Sequence, residues 1–151
     1  MHQKGLDHSL GFLLGATYRK LTNFFAGRIK EFGLTPEQWA VLFRVREEDG
    51  LIQKEIADRA GKDKPTTTRI LDTLEAKGFV TKRASEHDRR SFQVFITEQG
   101  KETADAIEPI EYSTIAEIAQ VMSIEEYELM NQLLRKLNDH TTSLLEHEKE
   151  Q

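Results

Sequence analysis

"KPTTTRILDTLEAKG", residues Lys64 to Gly78, is the stretch on which the fold turns. Ile70, Leu71 and Leu74 recur at helical steps, Pro65 suits a first turn, and Gly78 is placed to end the element. Just upstream, "QKEIADRAG" (53–61) is a second short helix, packed by Ile56, Ala57 and Ala60 and closed by Gly61. Two short helices joined by a brief turn, the second opening with small hydroxyl residues, form a helix-turn-helix pattern. In that pattern the first turn of the second helix enters the major groove of a duplex, where base edges present distinct donors and acceptors. Thr66, Thr67 and Thr68 bring hydroxyl and methyl groups to that turn, and Arg69 can reach a base edge or a phosphate. Lys62 and Lys64 are natural phosphate partners. Threonines at a helix start also serve as caps, and lysines in a turn also serve as solvated surface.

Downstream, two β-branched and aromatic runs, "FVTKRA" (79–84) and "FQVFIT" (92–97), flank the polar "SEHDRRS" (85–91). This predicts a hairpin with a long tip, the wing that follows a helix-turn-helix in many DNA-binding folds. Arg89 and Arg90 at the tip suit a narrow minor groove, where negative potential is strongest. Asp88 is placed to hold an arginine fork. A solvated turn with a surface ion pair is the plain alternative, and such a pair stabilises little.

Farther out, "LTPEQWAVLFRVREEDG" predicts a helix capped by Thr35, with Pro36 in its first turn, Gln38 completing a capping box and Gly50 stopping it. Residues 6–32 read as one long amphipathic helix ending near Gly33. From Glu98 the pattern is helical again, with Pro109 expected to kink or break it, and "SIEE" opens a last helix through Leu129, Leu133, Leu137, Leu144 and Leu145. The expected organisation is a dimerisation helix in 1–32 and a DNA-binding lobe in 33–97. Within the lobe the helix-turn-helix occupies about 53–77 and the wing about 79–97. Further dimerisation helices fill 98–151. A central unit of that size cannot bury the apolar faces of both chain ends, so a homodimer is expected.

Charge is segregated along the chain. The net charge is −5, yet residues 53–90 hold ten Lys/Arg against seven Asp/Glu, while residues 98–151 hold four against thirteen. With no cysteine, disulfides, Cys-ligated zinc and thiol redox chemistry are excluded. No apolar run spans a membrane and no signal segment is read, so a cytoplasmic protein without a membrane role is expected. Ser85, His87 and Asp88 share one loop and cannot readily form a nucleophilic relay, so no catalytic residue is assigned and no enzyme is expected. Only His140 and His147 of the five histidines share a helical face, and neither a metal site nor a cofactor is assigned. A helical dimerisation module or a ligand-binding protein without a DNA role is the alternative. It leaves the threonine-rich helix start and the arginine tip without a purpose.

The segments "LTPEQWAVLFRV", "QKEIADRAG", "PTTTRILDTLEAKGFV" and above all "DRRSFQVFITEQG" resemble the MarR family of winged helix-turn-helix transcription regulators, along essentially the whole chain. The resemblance implies a mainly α fold with a small β-hairpin wing, and N- and C-terminal helices forming the dimerisation region. It implies a ligand-responsive repressor whose partner is a pseudo-palindromic double-stranded operator. Arg90 would enter the minor groove and Asp88 would orient arginine side chains, Arg69 among them. It also implies a site for a small aromatic ligand between the dimer helices and the DNA-binding lobe. Phe12, Tyr18, Phe24, Phe25 and Trp39 would line that site, although aromatics at helical spacing are more often core.

Overall fold

The computed structural model describes residues 5–88 and 90–151. A 3-10 turn (Leu6–His8) precedes α1 (Leu10–Ile29), which tightens into another (Lys30–Phe32) before Gly33 turns the chain with φ +71°. Then follow α2 (Pro36–Glu47), β1 (Leu51–Ile52), α3 (Gln53–Ala60), α4 (Lys64–Ala76), β2 (Val80–Ala84) and β3 (Phe92–Ile96). The chain ends with α5 (Glu98–Ile118), a short 3-10 turn and α6 (Ile124–Lys149). It forms two compact units, one through residue 112 and one from residue 113.

The expected caps are present. The Thr35 hydroxyl accepts the Gln38 N–H at 3.2 Å, and the Gln38 side chain accepts the Thr35 N–H at 3.1 Å. Ser123 and Glu126 repeat this box at the start of α6. Each box satisfies two amide donors that the first helical turn leaves free. Gly61 ends α3 at φ +66°, a left-handed backbone that favours glycine.

Three features differ from the sequence reading. The hairpin is part of a three-stranded antiparallel sheet of order β1-β3-β2, because Leu51 and Ile52 pair with Val94 and Gln93. Asp49 reinforces the junction by accepting the Ile96 N–H at 2.8 Å. Pro109 neither breaks nor ends α5, which continues as one helix to Ile118. Gly50 is not the last residue of α2, which stops at Glu47.

One core holds the first unit together. Leu42 and Val45 of α2, Ile56 of α3, Leu71 and Leu74 of α4, Val80 and Val94 of the sheet and Ile107 of α5 are essentially inaccessible. Burying a side chain of this size stabilises by about 1.5–3 kcal/mol. Polar contacts fasten α5 to α2 along the same seam. Arg46 bonds Asp105 at 2.8 Å and also Glu108, and the Trp39 Nε1–H donates to Glu111 at 2.9 Å. Behind the wing, the Thr97 hydroxyl lies 2.7 Å from the Gly78 carbonyl and accepts the Gly100 N–H at 3.0 Å. A Cβ at Gly100 would sit 2.2 Å from the Phe79 carbonyl oxygen, so only glycine fits there.

Candidate nucleic-acid interface

The start of α4 is organised by a residue the sequence reading passed over. Asp63 is the N-cap, its carboxylate accepting the Thr66 N–H at 2.7 Å and the Thr66 hydroxyl at 3.0 Å. The Thr66 backbone N–H, joined by its hydroxyl, holds the Asp63 carboxyl below the usual carboxylate range. None of the three threonines is the cap.

Their hydroxyls are all donated inside the lobe. Thr68 donates to the Lys64 carbonyl at 2.9 Å and Thr67 to the Asp63 carbonyl at 2.9 Å. Thr67 is fully buried, in one stripe with Ile70, Leu71 and Leu74. This corrects the expectation that Thr67 offers its side chain to a base, because residues 67, 70, 71 and 74 share the core face of the helix. Thr66 and Thr68 are half-buried, and Lys64 and Arg69 are exposed. Lys62 lies half-buried in the turn between α3 and α4.

At the wing, Arg90 is exposed, and Arg89 lies outside the described residues. The two Asp88 oxygens accept the Arg90 backbone N–H at 2.9 Å and the Ser91 hydroxyl at 3.2 Å, so among the described residues the carboxylate serves the turn and not an arginine fork. Among the described residues no arginine, Arg69 included, forms an ion pair with Asp88. The carboxylate shapes the backbone of the tip, as aspartates in turns commonly do.

The fold brings Lys64 and Arg90 to one narrow cleft, lined also by Gln53 and Lys54 from the start of α3 and by Ser91. Lys54 and Gln53 were missed from the sequence, where only their place in the first turn of α3 marked them. Elsewhere in the lobe three arginines are already paired with carboxylates. Arg44 pairs with Glu47, Arg59 with Glu48 and Arg46 with Asp105 and Glu108. Among the described residues Lys54, Lys62, Lys64, Arg69 and Arg90 form no ion pair. Unpaired cations from α3, the turn, α4 and the wing can each neutralise a phosphate, and α4 presents its exposed side between them.

A sequence profile of the MarR family matches residues 34–92, from the start of α2 into β3. The HTH-type transcriptional regulator SarZ of Staphylococcus epidermidis is 30% identical over 112 residues, covering 74% of this chain and 76% of SarZ. The chain belongs to the MarR family. A MarR protein from Peptoclostridium difficile superposes with TM-score 0.84 at 26% identity, over 93% of this chain and 92% of that one. The Staphylococcus aureus regulator MepR, solved as a complex with DNA, superposes with TM-score 0.80 over 87% of this chain and 98% of its own. At 23% identity the MepR match speaks to the fold alone. As a MarR-family member the chain is a transcriptional regulator with a winged-helix DNA-binding fold, and not an enzyme. Among the described residues no helix is long and apolar enough to cross a membrane.

The five aromatics expected around an effector do not form one group in this MarR-family chain. Trp39 is only 2% exposed and packs edge-on against Phe43, its indole N–H already donated to Glu111, so it is a core side chain. Phe25 packs against the same core, whereas Phe12, Tyr18 and Phe24 are exposed along α1, with the Arg28 guanidinium over the Phe24 ring. Of the five, only Tyr18 borders the cleft of about 240 Å³ between α1 and the start of α2, opposite Thr35 and Glu37.

Proposed function

We propose that this regulator acts in the cytoplasm as a homodimeric, ligand-responsive repressor of a pseudo-palindromic operator. Residues 33–97 would bind DNA, while 1–32 and 98–151 would join the two copies. The exposed side of α4, with Lys64, Thr66, Thr68 and Arg69, faces the major groove. Arg90 and its neighbour Arg89 reach the adjacent minor groove, Asp88 shapes the tip, and Lys62 and Lys64 neutralise phosphates. The carrying observation is that Lys54 of α3, Lys62 of the turn, Lys64 and Arg69 of α4 and Arg90 of the wing form no ion pair among the described residues of a chain whose net charge is −5. Two-fold protein symmetry is favoured by the terminal helices. No residue of α6 is fully buried, and α1 buries Ile29 alone. A small aromatic effector would meet Phe12, Tyr18 and Phe24 on α1.

The test is selection of bound duplexes from a random pool by the full chain. The expected product is a pseudo-palindrome with half-sites about one helical turn apart. Affinity for it should fall steeply with salt as phosphate counterions are released. A pool that yields no enriched duplex refutes the reading.

A further inference from the structure

Strand β2 carries a lysine where its alternation calls for an inward residue. Val80 is buried at one inward position, and at the next the Lys82 side chain is only 14% exposed. A withdrawn ammonium group is tolerated when a carboxylate and its own apolar stem offset the lost hydration. Lys82 Nζ bonds Asp72 of α4, and the Lys82 backbone N–H donates to Glu75 of α4 at 3.0 Å. Asp72 and Glu75 are the two acidic residues within α4. One wing residue thus occupies both carboxylates of the helix beside it.

The place of Asp72 gives this weight. It follows Arg69 by three residues and lies away from the buried Thr67, Ile70, Leu71 and Leu74 stripe, with its side chain 63% exposed. A free carboxylate there would stand among the groups that meet phosphates and would repel them.

We infer that Lys82 is a positioning residue for DNA binding: by gripping Asp72 and Glu75 it fixes the wing against α4 and neutralises the carboxylate on the exposed side of that helix. The inference rests on the proposed DNA-binding role of α4 and the wing. Lys82 acts through α4 and touches no nucleotide itself.

The test uses the full chain and a duplex selected by the wild type. Lys82→Met keeps the stem and removes the charge. It should lower affinity roughly tenfold and quicken amide hydrogen exchange across 80–96. Lys82→Arg should restore both. Asp72→Asn removes a negative charge yet should also weaken binding, with no further loss when combined with Lys82→Met. Because Asp72 is a surface side chain, Asp72→Asn reads the pair even where Lys82→Met unfolds. Tighter or unchanged binding by Asp72→Asn, with Lys82→Met shifting the salt slope by about 0.9 per protomer, would make Lys82 a direct phosphate contact and overturn the inference. Unchanged exchange in the wing of Lys82→Met would also overturn it. Equal binding by wild type and Lys82→Met refutes this role alone. A wild type that enriches no duplex refutes the regulator reading together with it.

Discussion

The helix-turn-helix lobe and the terminal helices share one periodicity and end in opposite states. In α4 the whole apolar stripe is buried, against α2, α3 and the sheet. In α6 the same spacing leaves Leu129, Leu133, Leu137, Leu144 and Leu145 exposed, and α1 does so with Leu10, Leu13 and Leu14. Periodicity therefore marks the face that needs cover without naming what covers it. In the lobe the cover comes from other elements of the same chain, α2, α3 and the sheet. An exposed apolar stripe of the kind that α1 and α6 each carry marks an interaction face.

The largest effect should come from breaking the open side. Leu133→Asp with Leu137→Asp places two charges on the exposed stripe of α6. In ultracentrifugation the proposed dimer should fall to monomer while the lobe keeps its fold. A double variant that sediments like the wild type would remove α6 from the proposed interface. On the closed side, Gly100→Ala drives a methyl group against the Phe79 carbonyl and should cost about 1–3 kcal/mol, read by denaturant unfolding.

Thr67→Ala sharpens the comparison within α4. It deletes a buried hydroxyl and methyl and should lower stability by about 1–2 kcal/mol, with base preferences in a selected duplex unchanged. Thr66→Ala, at a half-buried site, should cost less. A shift in base preference without loss of stability in Thr67→Ala would restore that residue to the interface.

The smallest effect concerns acid. The folded Asp63 carboxyl titrates below its unfolded value, so its contribution is complete above about pH 4. That contribution is lost as pH falls through the folded value. Asp63→Asn, which can still accept the Thr66 N–H, should unfold with a slightly weaker dependence on pH in that acid range. An unaltered acid limb in thermal melts would show that the cap bond adds no linkage.

Much of the lobe could be read from its residues because its signals are local. Thr35 with Gln38, Ser123 with Glu126, Gly61, and the paired runs about residues 85–91 each act within a few residues of themselves. The misses have physical causes. Strand β1 has two residues, too few to show a period of two, and its pairing is set by β3 some forty residues later. The Thr67 hydroxyl suggests a surface residue, whereas its spacing to Ile70, Leu71 and Leu74 places it inside. Asp63 was overlooked beside three more conspicuous threonines. Asp88 is followed directly by two arginines in the sequence, yet a short carboxylate reaches the backbone of its own turn more readily than a neighbour's long side chain. Lys82 sat in view at an inward position of an alternating strand, but its partners belong to α4.

The contact between Glu75 and the Lys82 N–H has a consequence for self-association. The order β1-β3-β2 leaves β2 at the rim of the sheet, and the Lys82 amide points away from β3 toward α4. Unpaired amides along a rim are where a foreign strand adds to a sheet. If the hairpin reaches DNA as proposed, it cannot be hidden under a loop, and its rim needs another defence. Glu75 occupies this donor, and Lys82 with Arg83 places two cations on the same strand. The residues that seat the wing on its helix thereby also keep two wings from zipping together.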